Sequence, residues 1–106
     1  MSEVPSGRKD DAGKLRYDLI PPEALDALSS ILTMGAAKYA PRNWETGMAW
    51  GRVFGAMMRH AWAWWAGRDR DPESGCSHMW HALCCAAFLV AYEQRRIGTD
   101  DRWKRT

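Results

Sequence analysis

Hydrophobic positions recur with helical spacing in three stretches of the chain, and nowhere do they alternate with polar ones as a half-buried strand would require. The first stretch carries Leu25, Leu28, Ile31, Leu32 and Gly35 on one face. Pro21 and Pro22 suit a first turn whose N–H groups lack partners, Glu23 and Asp26 complement the positive helix end, and Pro41 forces a stop near Tyr39. A helix is therefore predicted over residues 22–39. A second is predicted from Ala49 to Ala66, ended by Gly67. Along it Gly51, Gly55, Arg59, Ala63 and Gly67 fall four apart, a stripe of mostly small residues suited to close approach of another helix or of a flat base. Val53, Met57, His60 and Trp64 share a different face, where core residues should point. The third helix begins near Ser77, whose hydroxyl can cap it, and runs to about Arg96. No charged side chain occurs from Met79 to Tyr92, so this helix is apolar all round and belongs at the centre.

The remaining segments are connectors and ends. Residues 1–20 show no periodicity and read as an extended or mobile arm, although Lys14, Arg16 and Tyr17 could dock across a site. The connection from Ala40 to Trp50 is turn-rich yet carries Trp44 and Trp50. Those indoles either cap the core or, for Trp44 with Lys38 and Asn43, line a nucleotide pocket. Beyond Gly98 a short last turn and a solvated basic tail are expected. The predicted architecture is all-α: a compact bundle of three principal helices plus a short C-terminal turn, with the arm at 1–20 and a single domain at 21–106.

At 106 residues the chain is near the size where assembly supplies extra burial, and a homo-oligomer is expected. A net charge of +2 is too mild for a nucleic-acid groove, so no direct nucleic-acid binding is expected, but small anionic ligands remain compatible. Cys76, Cys84 and Cys85 are odd in number and two are adjacent, which argues against a disulfide framework and for a reducing cytoplasm. Neither a signal segment nor a membrane span is indicated.

The chemistry is concentrated between Arg59 and Tyr92, which holds all three histidines and the acids Asp69, Asp71 and Glu73. Acids at this density need a divalent cation or the interleaved Arg68 and Arg70. Mg²⁺ or Mn²⁺ on Asp71 and Glu73 would favour phosphoanhydride hydrolysis, with His60, His78 or His81 as base or further ligand and Lys38 and Arg59 holding phosphate. His60 could equally be a hydrogen-bonded core residue. A calcium loop fails because its glycine comes one position late and Trp80 replaces the closing glutamate. Zinc on His78, His81 and Cys85 lacks the usual ligand pairs from two separate turns. No histidine precedes an aspartate, and there is no phosphate loop, nucleophile elbow or CxxC.

Three blocks, GKLRYDLIPPEAL, GAAKYAPRNWETGMAW and RHAWAWWAGRDRDPESGCSHMWHA, resemble the phage dATP/dGTP diphosphohydrolase N-terminal (MazZ-type) domains over about residues 7–94. The resemblance implies an all-α, oligomeric, phage-encoded protein of the host cytoplasm, related to the MazG pyrophosphohydrolases. These cleave a (d)NTP to its monophosphate and pyrophosphate with Mg²⁺. Lys38, Asn43 and Trp44 fall in the second block, and Arg59, His60, Asp71, Glu73, His78 and His81 in the third. The MazG group carries metal on paired ExxE and ExxD motifs, whereas the only ExxD here is Glu23–Asp26. Either the metal site is rebuilt around Asp71, Glu73 and the histidines, or the chain is a nucleotide-binding, nucleotide-sequestering module without turnover.

Overall fold

The computed structural model describes residues 5–104; the first four residues of the expected arm and the last two of the expected domain lie outside the described residues. Three helices form, α1 (Pro22–Lys38), α2 (Trp50–Trp65) and α3 (His78–Arg95), each within a residue or two of its predicted span. Among the described residues there is no strand, only isolated bridges at Ala49–Thr99 and Arg70–Ser77.

The apolar helix α3 packs against both others and takes the central place that its charge-free surface requires. Its start is fixed by Ser77, whose hydroxyl accepts the Met79 N–H at 3.1 Å. Buried along the contacts are Ala27 of α1, Val53 of α2, and His78, Ala82, Cys84 and Tyr92 of α3. Tyr92 is fully enclosed, and its hydroxyl donates to the Trp44 carbonyl at 2.7 Å, clamping the α1–α2 connection to α3. Trp44 stacks on Phe88 with ring centroids 4.9 Å apart, and the Arg95 guanidinium lies 5.1 Å from the centre of its ring.

Arg102 and Lys104 of the C-terminal tail are exposed as expected, but the expected turn takes a different form. After Gly98 the chain is not helical but returns as a strap across the start of α2. The Trp50 N–H donates to Thr99 O at 2.9 Å, the Trp50 indole to Ile97 O, and the Gly51 N–H to the Asp101 carboxylate at 2.7 Å. Ala49, at the helix start, has no side chain able to cap, so the strap takes orphan donors from outside the helix, Thr99 O the Trp50 N–H and Asp101 the Gly51 N–H. Of the stripe suited to another helix or a flat base, Gly51 adjoins the Asp101 carboxylate and Gly55 the Arg59 guanidinium. Gly98 has a left-handed φ of 77°, and a Cβ there would collide with the Met48 carbonyl oxygen. Glycine is required on both counts.

The arm is exposed at every described residue through Ile20, with one 3₁₀ turn at Tyr17–Leu19. On α2, Phe54, Trp62 and Trp65 are 50%, 61% and 73% exposed at helical spacings of eight and three, forming one outward aromatic face. The accessible surface of 8960 Å² exceeds the roughly 6000 Å² expected of a compact monomer of this mass by about half. No helix is long and apolar enough to cross a membrane.

Two substitutions test these anchors. Gly98→Ala should destabilise the domain by about 1–3 kcal/mol through strain and the Met48 contact, and Tyr92→Phe by about 1 kcal/mol through the stranded Trp44 carbonyl. Urea unfolding followed by circular dichroism measures both.

Candidate functional site

The loop between α2 and α3 is a tight turn before it is anything else. The Asp71 N–H donates to Cys76 O at 2.8 Å and the Gly75 N–H to Asp71 O at 2.7 Å, with Gly75 in the left-handed region at φ 73°. The Asp71 carboxylate accepts the Ser74 N–H at 2.9 Å, the local bond that aspartate makes readily in turns. Ser74 Oγ in turn accepts the Cys76 N–H and lies 2.7 Å from His81 Nε2. This closure sets the last turns of α2 against the first turns of α3.

There the three histidines meet. His60 Nδ1 lies 2.9 Å from His78 Nδ1, and the His60 ring stacks on His81 with centroids 4.6 Å apart at 14°. Asp71 Oδ2 is 3.9 Å from His81 Nε2. His60, His78 and Asp71 each place a potential ligand atom within 4.8 Å of the others, the one such group among the described residues. Serine, histidine and aspartate are also together, but Asp71 approaches the same Nε2 that meets Ser74. A relay needs the carboxylate on the opposite ring nitrogen, so this is not a nucleophilic triad.

The electrostatics favour lone pairs. Burial pushes the His60 pKa down, with His81, His78 and Arg59 adding to it against Asp71. Burial also lowers His81, again opposed by Asp71. For Asp71 burial pushes upward, but the Ser74 N–H and hydroxyl, then His81 and His60, outweigh it and leave the carboxyl below its usual range. Two neutral imidazoles beside a carboxylate form a donor set for a borderline cation. Mg²⁺ takes oxygen ligands, and of this set only the Asp71 carboxylate offers them.

The other predicted site residues are placed elsewhere. Glu73 pairs with Lys38 at 2.8 Å, a solvent-exposed contact that ties the loop to the end of α1. Neither Arg68 nor Arg70 pairs with the loop acids among the described residues; Arg70 donates to Gly75 O. Arg59 lies along α2 beside Gly55. Trp44 sits toward the far end of α3, against Phe88 and Tyr92, some 10–16 Å along the axis from His81, and Asn43 precedes it in the same 3₁₀ turn. Lys14 is on the exposed arm, where Arg16 pairs with Asp18 at 2.8 Å. Glu23 and Asp26 open α1, whose opposite end meets the loop, roughly 15–20 Å away along the helix. Sequence reasoning missed Ser74; its spacing three residues after Asp71, before a glycine, was the available signal. It also missed a cleft of about 300 Å³ lined by Trp64, Asp69, Arg70, Gly75, Cys76, Ser77 and Trp80. Trp64 stands one helical turn beyond His60, and Trp80 directly precedes His81.

The pKa directions fix a pH dependence for the metal-free protein. Both shifted histidines protonate more readily when unfolded, so their contribution is complete above the ordinary pKa of about 6.5 and is lost as pH falls toward the lower folded values. Asp71 acts only at still lower pH. The thermal midpoint in chelator should fall between about pH 7 and pH 5, and His60→Gln should flatten that decline.

Comparison with known proteins agrees with the motif blocks. The family described as dATP/dGTP diphosphohydrolase, N-terminal, matches residues 4–102. A dATP/dGTP diphosphohydrolase of Salmonella phage PMBT28 is 32% identical over 97 residues, which is 92% of this chain but 33% of that protein. The chain thus spans about a third of the length of the curated relative it matches. No solved structure matches it. The match across nearly every described residue, including the loop and all three histidines, places the chain in the dATP/dGTP diphosphohydrolase N-terminal family.

Proposed function

We propose that this domain binds a purine deoxynucleoside triphosphate and hydrolyses it between the α and β phosphates, releasing the monophosphate and pyrophosphate with a divalent cation. The observation that carries the reading is the convergence of His60, His78, His81 and Asp71 at the α2–α3 loop, in a family named for dATP/dGTP diphosphohydrolases. The base stacks between Trp64 and Trp80 in the adjoining cleft, where indole faces offer stacking to any purine. Arg70, at the same cleft, meets the phosphates. His81, whose Nε2 lies 2.7 Å from Ser74 Oγ, takes up the proton of the attacking water by way of that hydroxyl, which passes its own proton to Nε2 as it accepts the water's, and the depressed pKa keeps His81 unprotonated at neutral pH beforehand. Asp71 holds the resulting imidazolium. A cation supplies charge neutralisation on the phosphate oxygens when bound.

A second reading has its own support. Because the relative is about three times as long as the matched region, the hydrolytic step could reside in its remainder, leaving this domain to capture nucleotide without turnover. Incubation of the purified chain with each (d)NTP, with and without divalent ions, separates the two by product chromatography. Monophosphate with pyrophosphate supports hydrolysis, and His81→Ala should then lower kcat about 100-fold or more. Nucleotide bound but unchanged supports capture.

The reading includes a homo-oligomer, supported by the aromatic face of Phe54, Trp62 and Trp65 and the excess surface. Light scattering should give at least twice the 12.1 kDa chain mass, and Trp62→Ser with Trp65→Ser should shift it toward the monomer.

A further inference from the structure

His60 and His78 face each other Nδ1 to Nδ1 across the α2–α3 interface at 2.9 Å. A ring nitrogen carries either a proton or a lone pair, so the contact holds with one shared proton, or with a cation that accepts both lone pairs. Two ligands at right angles on an octahedral ion, each about 2.1 Å from it, are about 3.0 Å apart, which matches the separation found. The third donor is close: Asp71 has a carboxylate oxygen within 4.8 Å of the imidazole nitrogens.

The three groups come from three different elements. His60 is on α2, Asp71 in the loop, and His78 is the first residue of α3, so the set exists only in the folded chain. His78 is 7% exposed, and the stacked His81 restrains the orientation of His60. His81 itself is engaged at Nε2 by Ser74 and is a positioning neighbour. Of the other loop acids, Glu73 is turned to Lys38, and Asp69 is not in the group that meets within 4.8 Å among the described residues.

We propose that His60 Nδ1, His78 Nδ1 and the Asp71 carboxylate form a binding site for a first-row transition-metal ion, in the range Mn²⁺ to Zn²⁺, and that Mg²⁺ is not its ion. The inference deepens the hydrolase reading by naming the ion class at the same site. Imidazole nitrogen binds such ions far better than it binds Mg²⁺, which parts reluctantly with water and takes oxygen. Three protein ligands leave coordination positions for water or a phosphate oxygen.

Titration of the chelator-treated full chain with Co²⁺, followed by visible absorption and without nucleotide, is the test. One ion per chain should bind, and a large excess of Mg²⁺ should not displace it. His60→Gln, His78→Gln and the near-isosteric Asp71→Asn should each weaken binding by more than the roughly 10–100-fold typical of losing a positioning neighbour, and His81→Ala, which removes such a neighbour, by no more than that. Circular dichroism confirms that each variant is folded, and if His78→Gln is not, the other two carry the test. Absence of Co²⁺ binding, displacement by Mg²⁺, or full affinity in folded His60→Gln or Asp71→Asn overturns the proposal. The two readings fail separately. Co²⁺ bound by a protein that turns over no (d)NTP defeats the hydrolase reading alone, whereas Mg²⁺-supported turnover by a protein that binds no Co²⁺ defeats this inference alone.

Discussion

The site depends on how tightly the chain turns between α2 and α3. If Asp71 and Cys76 did not close on one another, His60 would have no defined relation to His78 and His81, because α2 contributes a single histidine and α3 the other two. Asp71 serves the turn twice, through its backbone and through the carboxylate that accepts the Ser74 N–H. That second bond holds a negative charge beside the imidazoles. Loop geometry and site electrostatics are therefore set by the same few groups.

A central helix without charge from Met79 to Tyr92 gives the rest of the fold its order. Each end of α3 does something different. At its start His78 and His81 face His60 and the loop, while toward its end Phe88 and Tyr92 hold the Trp44 segment by stacking and a hydrogen bond. The C-terminal strap then crosses the beginning of α2 and places Asp101 at donors that the helix cannot satisfy from within. The enclosed core is small, and aromatic side chains on the outer face of α2 remain in solvent. Burial of this kind is usually completed by another chain or another domain.

The group of potential ligands at the loop is richer in imidazole than in carboxylate. Carboxylate-rich centres suit Mg²⁺, yet the acids here are divided: Asp71 faces the histidines, Glu73 faces Lys38, and Glu23 and Asp26 lie at the other end of α1. Imidazole takes the place that a second or third carboxylate would hold. Low pKa values at His60 and His81 have burial as their first cause, so the packing of α2 on α3 and the availability of nitrogen lone pairs are one property.

How much of this was legible in the sequence depends on the range of the interaction. Helix spans were readable because prolines, Gly67, Ser77 and the spacing of apolar residues act within a turn or two of themselves. The all-α class and the central place of α3 follow from the same local rules, and the family was legible from its three blocks. The pairing of His60 with His78 was not, since eighteen residues and a reversal of direction separate them. Neither was the choice of Lys38 by Glu73, the capping of α2 by Asp101, nor the removal of Trp44 from the histidines. Those partners lie 35, 50 and 48 residues apart for Lys38–Glu73, Gly51–Asp101 and Trp44–Tyr92. Local pattern determined where helices begin and end and which residues have the chemistry; only the tertiary structure decided which of them meet, because contacts at such separation are set by how helices pack.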